Sequence, residues 1–129
     1  MAKRWMSRAA VAGGAAVALT VGSVGSAQAA DRTISLTRSG NQVGTMTHLD
    51  ADPDRIRVCD TRADGYGVTG TLWVLHGAAG WVTIAVVDDG GDAGCDTKEV
   101  PISGSAYYTM ELCWNGASGH CVGTKPFQE

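Results

Sequence analysis

Apolar and polar residues alternate with a period of two along most of the chain after residue 30, and glycine or aspartate interrupts the alternation at short intervals. Successive side chains of a β-strand point to opposite faces, so this pattern predicts strands with one buried face. We find no helical period of useful length. The predicted strands are 33–38, 42–49, 55–60, 67–75, 81–87, 98–102, 106–114 and 120–123.

Eight short strands at this spacing favour an all-β fold, a small antiparallel β-sandwich or barrel. Ser39-Gly40-Asn41 is typical of a hairpin turn. The acidic, glycine-rich segment 88–94 is predicted to be a long flexible connection, and the tail 124–129 is expected to be loose. The chain from residue 30 onward has the length of one domain.

The alternation also divides each strand into an inner and an outer face. Burying about ten apolar side chains at roughly 1.5–3 kcal/mol each is comparable with the ordering entropy of the chain. Cross-links therefore matter to the stability of this fold. The predicted core residues are Ile56, Val58, Val68, Leu72, Val74, Val82, Ile84, Val86, Tyr108, Met110, Leu112 and Trp114.

Residues 1–29 carry the pattern of a secretory signal peptide. Lys3, Arg4 and Arg8 precede an apolar run at 9–24, and Ala27-Gln28-Ala29 forms an A-x-A cleavage site. The alternative is a membrane anchor, but the run is rich in alanine and glycine and shorter than the ~20 apolar residues of a span. We predict a cleaved signal peptide at 1–29 and a secreted, extracellular β-domain at 30–129.

Removal of the leader changes the charge of the protein. Three of the 10 Lys and Arg residues lie in the leader and none of the 13 Asp and Glu residues does, so the mature chain carries a charge of −6. An acidic product argues against nucleic acid and against anionic membrane surfaces as partners. We expect no stable membrane association after cleavage.

All four cysteines lie in the predicted mature chain, which fits an oxidising compartment. The absence of a C-x-x-C motif, and of histidine at ligand spacing from a cysteine, argues against a zinc site. Cys113 and Cys121 flank a short glycine-containing loop, so we pair them and leave Cys59 with Cys95. Four cysteines permit three connectivities, and spacing alone does not choose among them.

Two tryptophans mark the candidate binding surface. If strands 67–75 and 81–87 form a hairpin with a five-residue loop, Leu75 faces Trp81 and Trp73 faces Thr83. The two indoles are then diagonal neighbours on the face opposite the core, with Thr71 and Thr83 beside them. Exposed indoles of this kind stack on sugar rings or anchor a protein partner. The alternative is that this face is a second buried layer of the sandwich.

The sequence contains no catalytic motif. Gly116-Ala117-Ser118-Gly119 is one residue too short for the G-x-S-x-G nucleophile motif. Nothing marks His48, His76 or His120, which we expect at the surface or in loops. Paired carboxylates for a glycosidase are available, but Glu99 and Glu111 are the only mature glutamates outside the tail, and a sandwich of this size offers little cleft. We therefore predict a protein that is not an enzyme and needs no cofactor.

A weak metal signal comes from the acidic segment. Asp88, Asp89, Asp92 and Asp96 place four carboxylates within nine residues. Oxygen ligands on a flexible loop suit Ca²⁺. The alternative, a solvated acidic loop, is the commoner arrangement.

Three segments resemble small secreted proteins of high-GC Gram-positive (actinobacterial) bacteria: DRIRVCDTRADGYGV at 54–68, GTMTH at 44–48 and MELC at 110–113. This resemblance implies secretion and a β-fold, and it carries over no catalytic residue. Residues 82–89, VTIAVVDD, with Cys95 after them, are similar to a strand and loop of small secreted α-amylase inhibitors, which are β-sandwiches with two disulfides. The Trp-Arg-Tyr recognition triplet of those inhibitors does not occur here.

These features favour a secreted, non-enzymatic β-sandwich that acts by binding. One hypothesis is a module that binds carbohydrate or the cell envelope through Trp73 and Trp81. The alternative is a protein-binding factor, such as an inhibitor of a secreted hydrolase, that uses a turn held by a disulfide.

Overall fold

A computed structural model describes residues 30–91 and 93–129 of the chain. The predicted signal peptide and Asp92 lie outside the described residues. A single turn of 3-10 helix, Gly77–Ala79, joins the fourth strand to the fifth. The strands are β1 (Arg32–Arg38), β2 (Asn41–Leu49), β3 (Arg55–Asp60), β4 (Val68–Leu75), β5 (Trp81–Asp89), β6 (Gly94–Glu99), β7 (Tyr108–Trp114) and β8 (Cys121–Gly123).

The strands form two four-stranded antiparallel sheets, which confirms the predicted all-β sandwich. Sheet A has the order β1-β2-β3-β6, and sheet B has the order β5-β4-β7-β8. The chain therefore crosses from one sheet to the other after β3, after β5 and after β6. In the part of the chain that the structure describes, no helix is long and apolar enough to cross a membrane.

The core lies between the inner faces of the two sheets. Ile56 and Val58 from sheet A are buried against Leu72, Met110 and other residues of sheet B, as the alternation predicts. The remaining predicted core residues of β4 and β7 are buried too, except Val74, which is half-buried. The buried apolar side chains are Leu36, Val43, Met46, Ile56, Val58, Val68, Leu72, Ala85, Val87, Val100, Tyr108, Met110, Leu112, Trp114 and Phe127.

Gly70 on β4 lies close against the facing sheet. A Cβ atom at this position would lie 2.5 Å from Cγ2 of Val58 and 2.9 Å from Sδ of Met46. A side chain here would overlap atoms of the facing sheet, so glycine sets the separation of the two layers at the centre of the core.

The predicted inner face of β5 is wrong at two positions. Val82 and Val86 are 41% and 49% exposed, whereas Ala85 and Val87 are buried. At Val86 the reason is a bulge: Trp73 pairs with Thr83, but Leu72 pairs with Ala85, so Ile84 is an extra residue on β5. Val82 lies before the bulge and pairs with Val74, so it is on the inward side but is exposed at the end of edge strand β5. An extra residue reverses which side chains point inward in the rest of the strand. A sequence pattern with a strict period of two does not predict such a reversal.

The predicted position of β6 and the long acidic connection are also wrong. The predicted strand at 98–102 begins four residues earlier, at Gly94, and β5 continues to Asp89, so only residues 90–93 separate the two strands. All six residues of β6 are exposed, and β6 is an edge strand that pairs only with β3. An edge strand without a buried face has no apolar alternation to reveal it.

The disulfide pairing proposed from spacing is confirmed. Cys59 on β3 is joined to Cys95 on β6, and Cys113 on β7 is joined to Cys121 on β8. In each case the two cysteines are direct partners in the strand register. Each disulfide therefore fastens an edge strand to its neighbour, one in each sheet.

The C-terminal tail is docked and not loose as expected. Phe127 is buried and exchanges backbone hydrogen bonds with Tyr108, with N–O distances of 2.8 and 2.9 Å. The guanidinium carbon of Arg32 lies 4.4 Å from the centroid of the Phe127 ring. Aromatic burial thus ties the tail to the first and seventh strands.

Candidate functional site

The two tryptophans lie on the outer face of sheet B. Trp73 on β4 pairs with Thr83 on β5, and Leu75 pairs with Trp81, which is the register expected for the hairpin. Trp81 is 40% exposed and Trp73 is half-buried. The outer face is therefore a solvent-facing surface and not a second buried layer of the sandwich.

Strand β7 supplies the polar side of this surface. Because Tyr108 and Met110 point into the core, Thr109 and Glu111 point outward, opposite Trp73 and Thr71 respectively. Trp73, Trp81, Thr109 and Glu111, with Thr124 after β8, line a shallow depression of about 360 Å³. We call this surface the tryptophan platform: Trp73, Trp81, Thr71, Thr83, Thr109, Glu111 and Thr124.

The threonines at the floor of the platform are ordered by hydrogen bonds. The hydroxyl of Thr109 lies 3.1 Å from the carbonyl oxygen of Thr124 and 3.2 Å from its hydroxyl. The backbone N–H of Met110 donates to the Thr124 hydroxyl at 3.0 Å. These contacts fix the positions of both hydroxyls.

Large apolar side chains surround the platform. Leu75 and Tyr107 are exposed at the end near Trp81, and Val86 is exposed opposite Thr71. The bulge at Ile84 causes the exposure of Val86, since without it Val86 would point inward. The outer face of sheet B is therefore more apolar than the sequence pattern predicted.

The proposed calcium ligands are not brought together among the described residues. Asp88 points outward and accepts hydrogen bonds from Thr69 and Asn115 at 3.3 and 3.2 Å. Asp89 points inward, is buried, and accepts the backbone N–H of Asp60. Consecutive residues of one strand face opposite ways, so their carboxylates cannot share an ion. Asp96 is exposed on edge strand β6, and Asp92 lies outside the described residues.

His48 differs from its expected place at the surface. It is 3% exposed, its Nε2 lies 2.9 Å from Oδ1 of Asp54, and its ring stacks on Phe127 at 6.0 Å between centroids. Carboxylate oxygens of Asp50 and Glu129 lie within 4.8 Å of Asp54. The contact between His48 and Asp54 connects β2 to the loop before β3 and lies beside Phe127 of the docked tail. His76 and His120 are exposed, as expected.

Thr109 and Glu111 were not identified from the sequence as part of the platform. The contact between Arg38 and Ser118 was not identified either. The outward positions of Thr109 and Glu111 follow from the alternation of β7 and were readable from it. Arg38 and Ser118 meet at the far end of the sandwich although 80 residues separate them, and no local pattern signals such a contact.

The platform combines hydrogen-bonding groups with aromatic area. Its polar groups are hydroxyls and one carboxylate, that of Glu111, and its apolar groups are two indoles. It offers hydrogen-bond donors and acceptors beside flat aromatic area, with no thiol or imidazole among its lining residues. No family model matches the chain, and no curated protein or solved structure matches it.

Proposed function

We propose that this is a secreted protein without catalytic activity that binds a carbohydrate, such as a glycan of the cell envelope, on the tryptophan platform. The observation that carries the proposal is the pairing of Trp73 with Thr83, which sets Trp73 and Trp81 diagonally beside a depression lined by hydroxyls and a carboxylate.

The composition of the platform matches the two kinds of surface that a sugar ring presents. One face of a pyranose carries C–H groups, which pack on the electron-rich face of an indole. Its edge carries hydroxyls, which donate to a carboxylate such as that of Glu111 and exchange hydrogen bonds with threonine hydroxyls. Trp81 supplies the accessible indole, and half-buried Trp73 supplies a fixed wall next to Thr109.

Three observations support binding without hydrolysis and a location outside the cell. Glycoside hydrolysis uses a pair of carboxylates on either side of the bond that is cleaved, and the depression is lined by one, Glu111. All four cysteines are paired in disulfides, which are typical of oxidising compartments. The leader pattern at 1–29 supports export.

A glycan array tests the proposal with the purified, disulfide-bonded protein. We expect retention of at least one class of oligosaccharide and a loss of about tenfold in affinity, equal to about 1.4 kcal/mol, on Trp81→Ala. Trp73→Ala weakens binding in the same direction. Tyr66→Ala is the matched control, because Tyr66 is an exposed aromatic outside the platform and its removal leaves binding unchanged.

Two results contradict the proposal. One is that no glycan is retained. The other is that Trp81→Ala retains glycan as well as the wild type does, while circular dichroism shows that both proteins are folded.

A protein partner is the second candidate, and the apolar rim of the platform favours it. A sugar makes little use of Leu75 and Val86, whereas large exposed apolar side chains are typical of protein interfaces. A pull-down against secreted hydrolases, repeated with Val86→Asp, separates the two candidates. Capture that Val86→Asp abolishes supports a protein partner, and full hydrolase activity at micromolar excess argues against inhibition.

A further inference from the structure

A second pocket lies at the end of the sandwich remote from Trp81, between the turn that joins β1 to β2 and the loop that joins β7 to β8. Its volume is about 250 Å³. Its lining residues are Thr37, Arg38, Ser39, Ser118 and His120. None of them is acidic, although the chain from residue 30 onward carries a charge of −6. Hydrogen-bond donors and positive charge thus collect at one place on an acidic protein.

The guanidinium of Arg38 is held by an aromatic ring and not by a carboxylate. Its Cζ lies 3.6 Å from the centroid of the Trp114 ring. Trp114 is 7% exposed, and its indole N–H donates to Oδ2 of Asp64 at 3.2 Å, so the ring is itself fixed. Stacking uses the face of the guanidinium and leaves the N–H donors in its plane available.

One of those donors is already aligned within the pocket. Nη2 of Arg38 donates to the Ser118 hydroxyl at 3.4 Å. Among residues 30–91 and 93–129, the salt bridge present joins His48 to Asp54, so no described carboxylate forms a salt bridge with Arg38. The carboxylate of Asp64 is hydrogen-bonded to the Trp114 ring on which Arg38 stacks. The stack on Trp114 and the hydrogen bond to Ser118 together fix the Arg38 guanidinium at the pocket.

Ser39 adds a backbone observation at the same pocket. Its φ is +48°, and it is the only residue other than glycine with positive φ in the described chain. Gly40, the next residue, has φ +77°, so the pair forms a tight hairpin turn in which glycine or asparagine is usual at both positions. This turn places Ser39 next to Arg38 in the lining of the pocket.

We propose that this pocket binds a tetrahedral oxyanion, the phosphate or sulfate ester group of a ligand. Arg38 donates two parallel hydrogen bonds to the anion, and the hydroxyls of Ser39 and Ser118 and the imidazole of His120 donate from the two flanking turns. Donors that converge from separate turns suit a tetrahedral group better than a planar carboxylate. The site is independent of the tryptophan platform and does not rest on the proposed function.

Titration of the disulfide-bonded protein with inorganic phosphate, sulfate and acetate, followed by ¹H–¹⁵N correlation spectra, tests the proposal. We expect saturable shifts at Ser39, Ser118 and His120 with phosphate or sulfate, and at least about tenfold weaker binding by Arg38→Gln. Ser118→Ala leaves the stack of Arg38 on Trp114 intact and weakens binding by about two- to fivefold. Arg57→Gln, which removes the same charge from an exposed position on β3, is the matched control.

Three results overturn the proposal. The first is the absence of saturable shifts up to about 50 mM anion, well above a millimolar dissociation constant. The second is equal weakening by Arg57→Gln and Arg38→Gln, which would show a response to net charge alone. The third is binding of acetate as tight as that of phosphate and sulfate. If Arg38→Gln does not fold, unchanged binding by Ser118→Ala overturns it equally.

Discussion

Trp73 on β4 pairs with Thr83 on β5, one position before the bulge that leaves Ile84 outside the pairing. On the Trp81 side of this bulge, odd-numbered residues of β5 point outward. On the other side, odd-numbered residues point inward, where Ala85 and Val87 are buried. One strand therefore supplies aromatic area to the outer face at one end and core packing at the other.

Because of the bulge, the same substitution is expected to change the free energy of unfolding by different amounts at two adjacent valines. Val87→Thr puts a hydroxyl in the core and is expected to lower the free energy of unfolding by about 1–2 kcal/mol. Val86→Thr, the same change on the outer face, is expected to stay within about 0.5 kcal/mol of the wild type. Urea denaturation of the two variants checks this. The reverse order would show that β5 follows uninterrupted alternation.

The two disulfides are expected to stabilise the fold unequally. Cys59 and Cys95 are 36 residues apart, and Cys113 and Cys121 are 8 apart. In the chain-entropy model, loss of the first costs about 4 kcal/mol and loss of the second about 2.5 kcal/mol. Equilibrium unfolding of the two paired Cys→Ala variants measures both. A larger loss from the Cys113–Cys121 pair would contradict the entropic account.

Gly70 is expected to tolerate no side chain. Its substitution by alanine places a methyl group against Val58 and Met46, and such overpacking lowers the free energy of unfolding by about 1–3 kcal/mol. Gly104→Ala is the matched control, because the nearest atom to its new methyl group, the backbone oxygen of Glu129, is 3.8 Å away. Thermal unfolding compares them, and equal melting temperatures would show that the sheets separate at little cost.

Much of the fold was predictable because most strands have one buried face. The alternation of Val68, Leu72 and the inward residues of β7 located these strands and their inner faces. Strand β6 lacked that signal, since every side chain on it is exposed. The bulge at Ile84 was not predictable either, because it depends on how β5 fits β4 and not on residue type.

The candidate sites also differ in whether a local sequence pattern predicts them. Trp73 and Trp81 belong to one hairpin, so loop length and alternation were enough to place them together. The pocket at Arg38 brings together Arg38 and Ser118, which are 80 residues apart in the sequence. Arg38 stacks on Trp114 only when the two sheets are packed together. Asp88 and Asp89 show the opposite case, because they are adjacent in sequence but lie on opposite faces of β5.

Iodide quenching of tryptophan fluorescence tests the tryptophan platform most directly. The chain from Ala30 onward contains Trp73, Trp81 and Trp114, so pairs of Trp→Phe substitutions leave one emitter at a time. We predict strong quenching of Trp81, weaker quenching of Trp73 and almost none of Trp114. A glycan retained on the array should protect Trp81 and Trp73 and leave Trp114 unchanged. Shielding of all three tryptophans in the free protein, or a bound glycan that protects neither Trp73 nor Trp81, would contradict the platform as the binding surface.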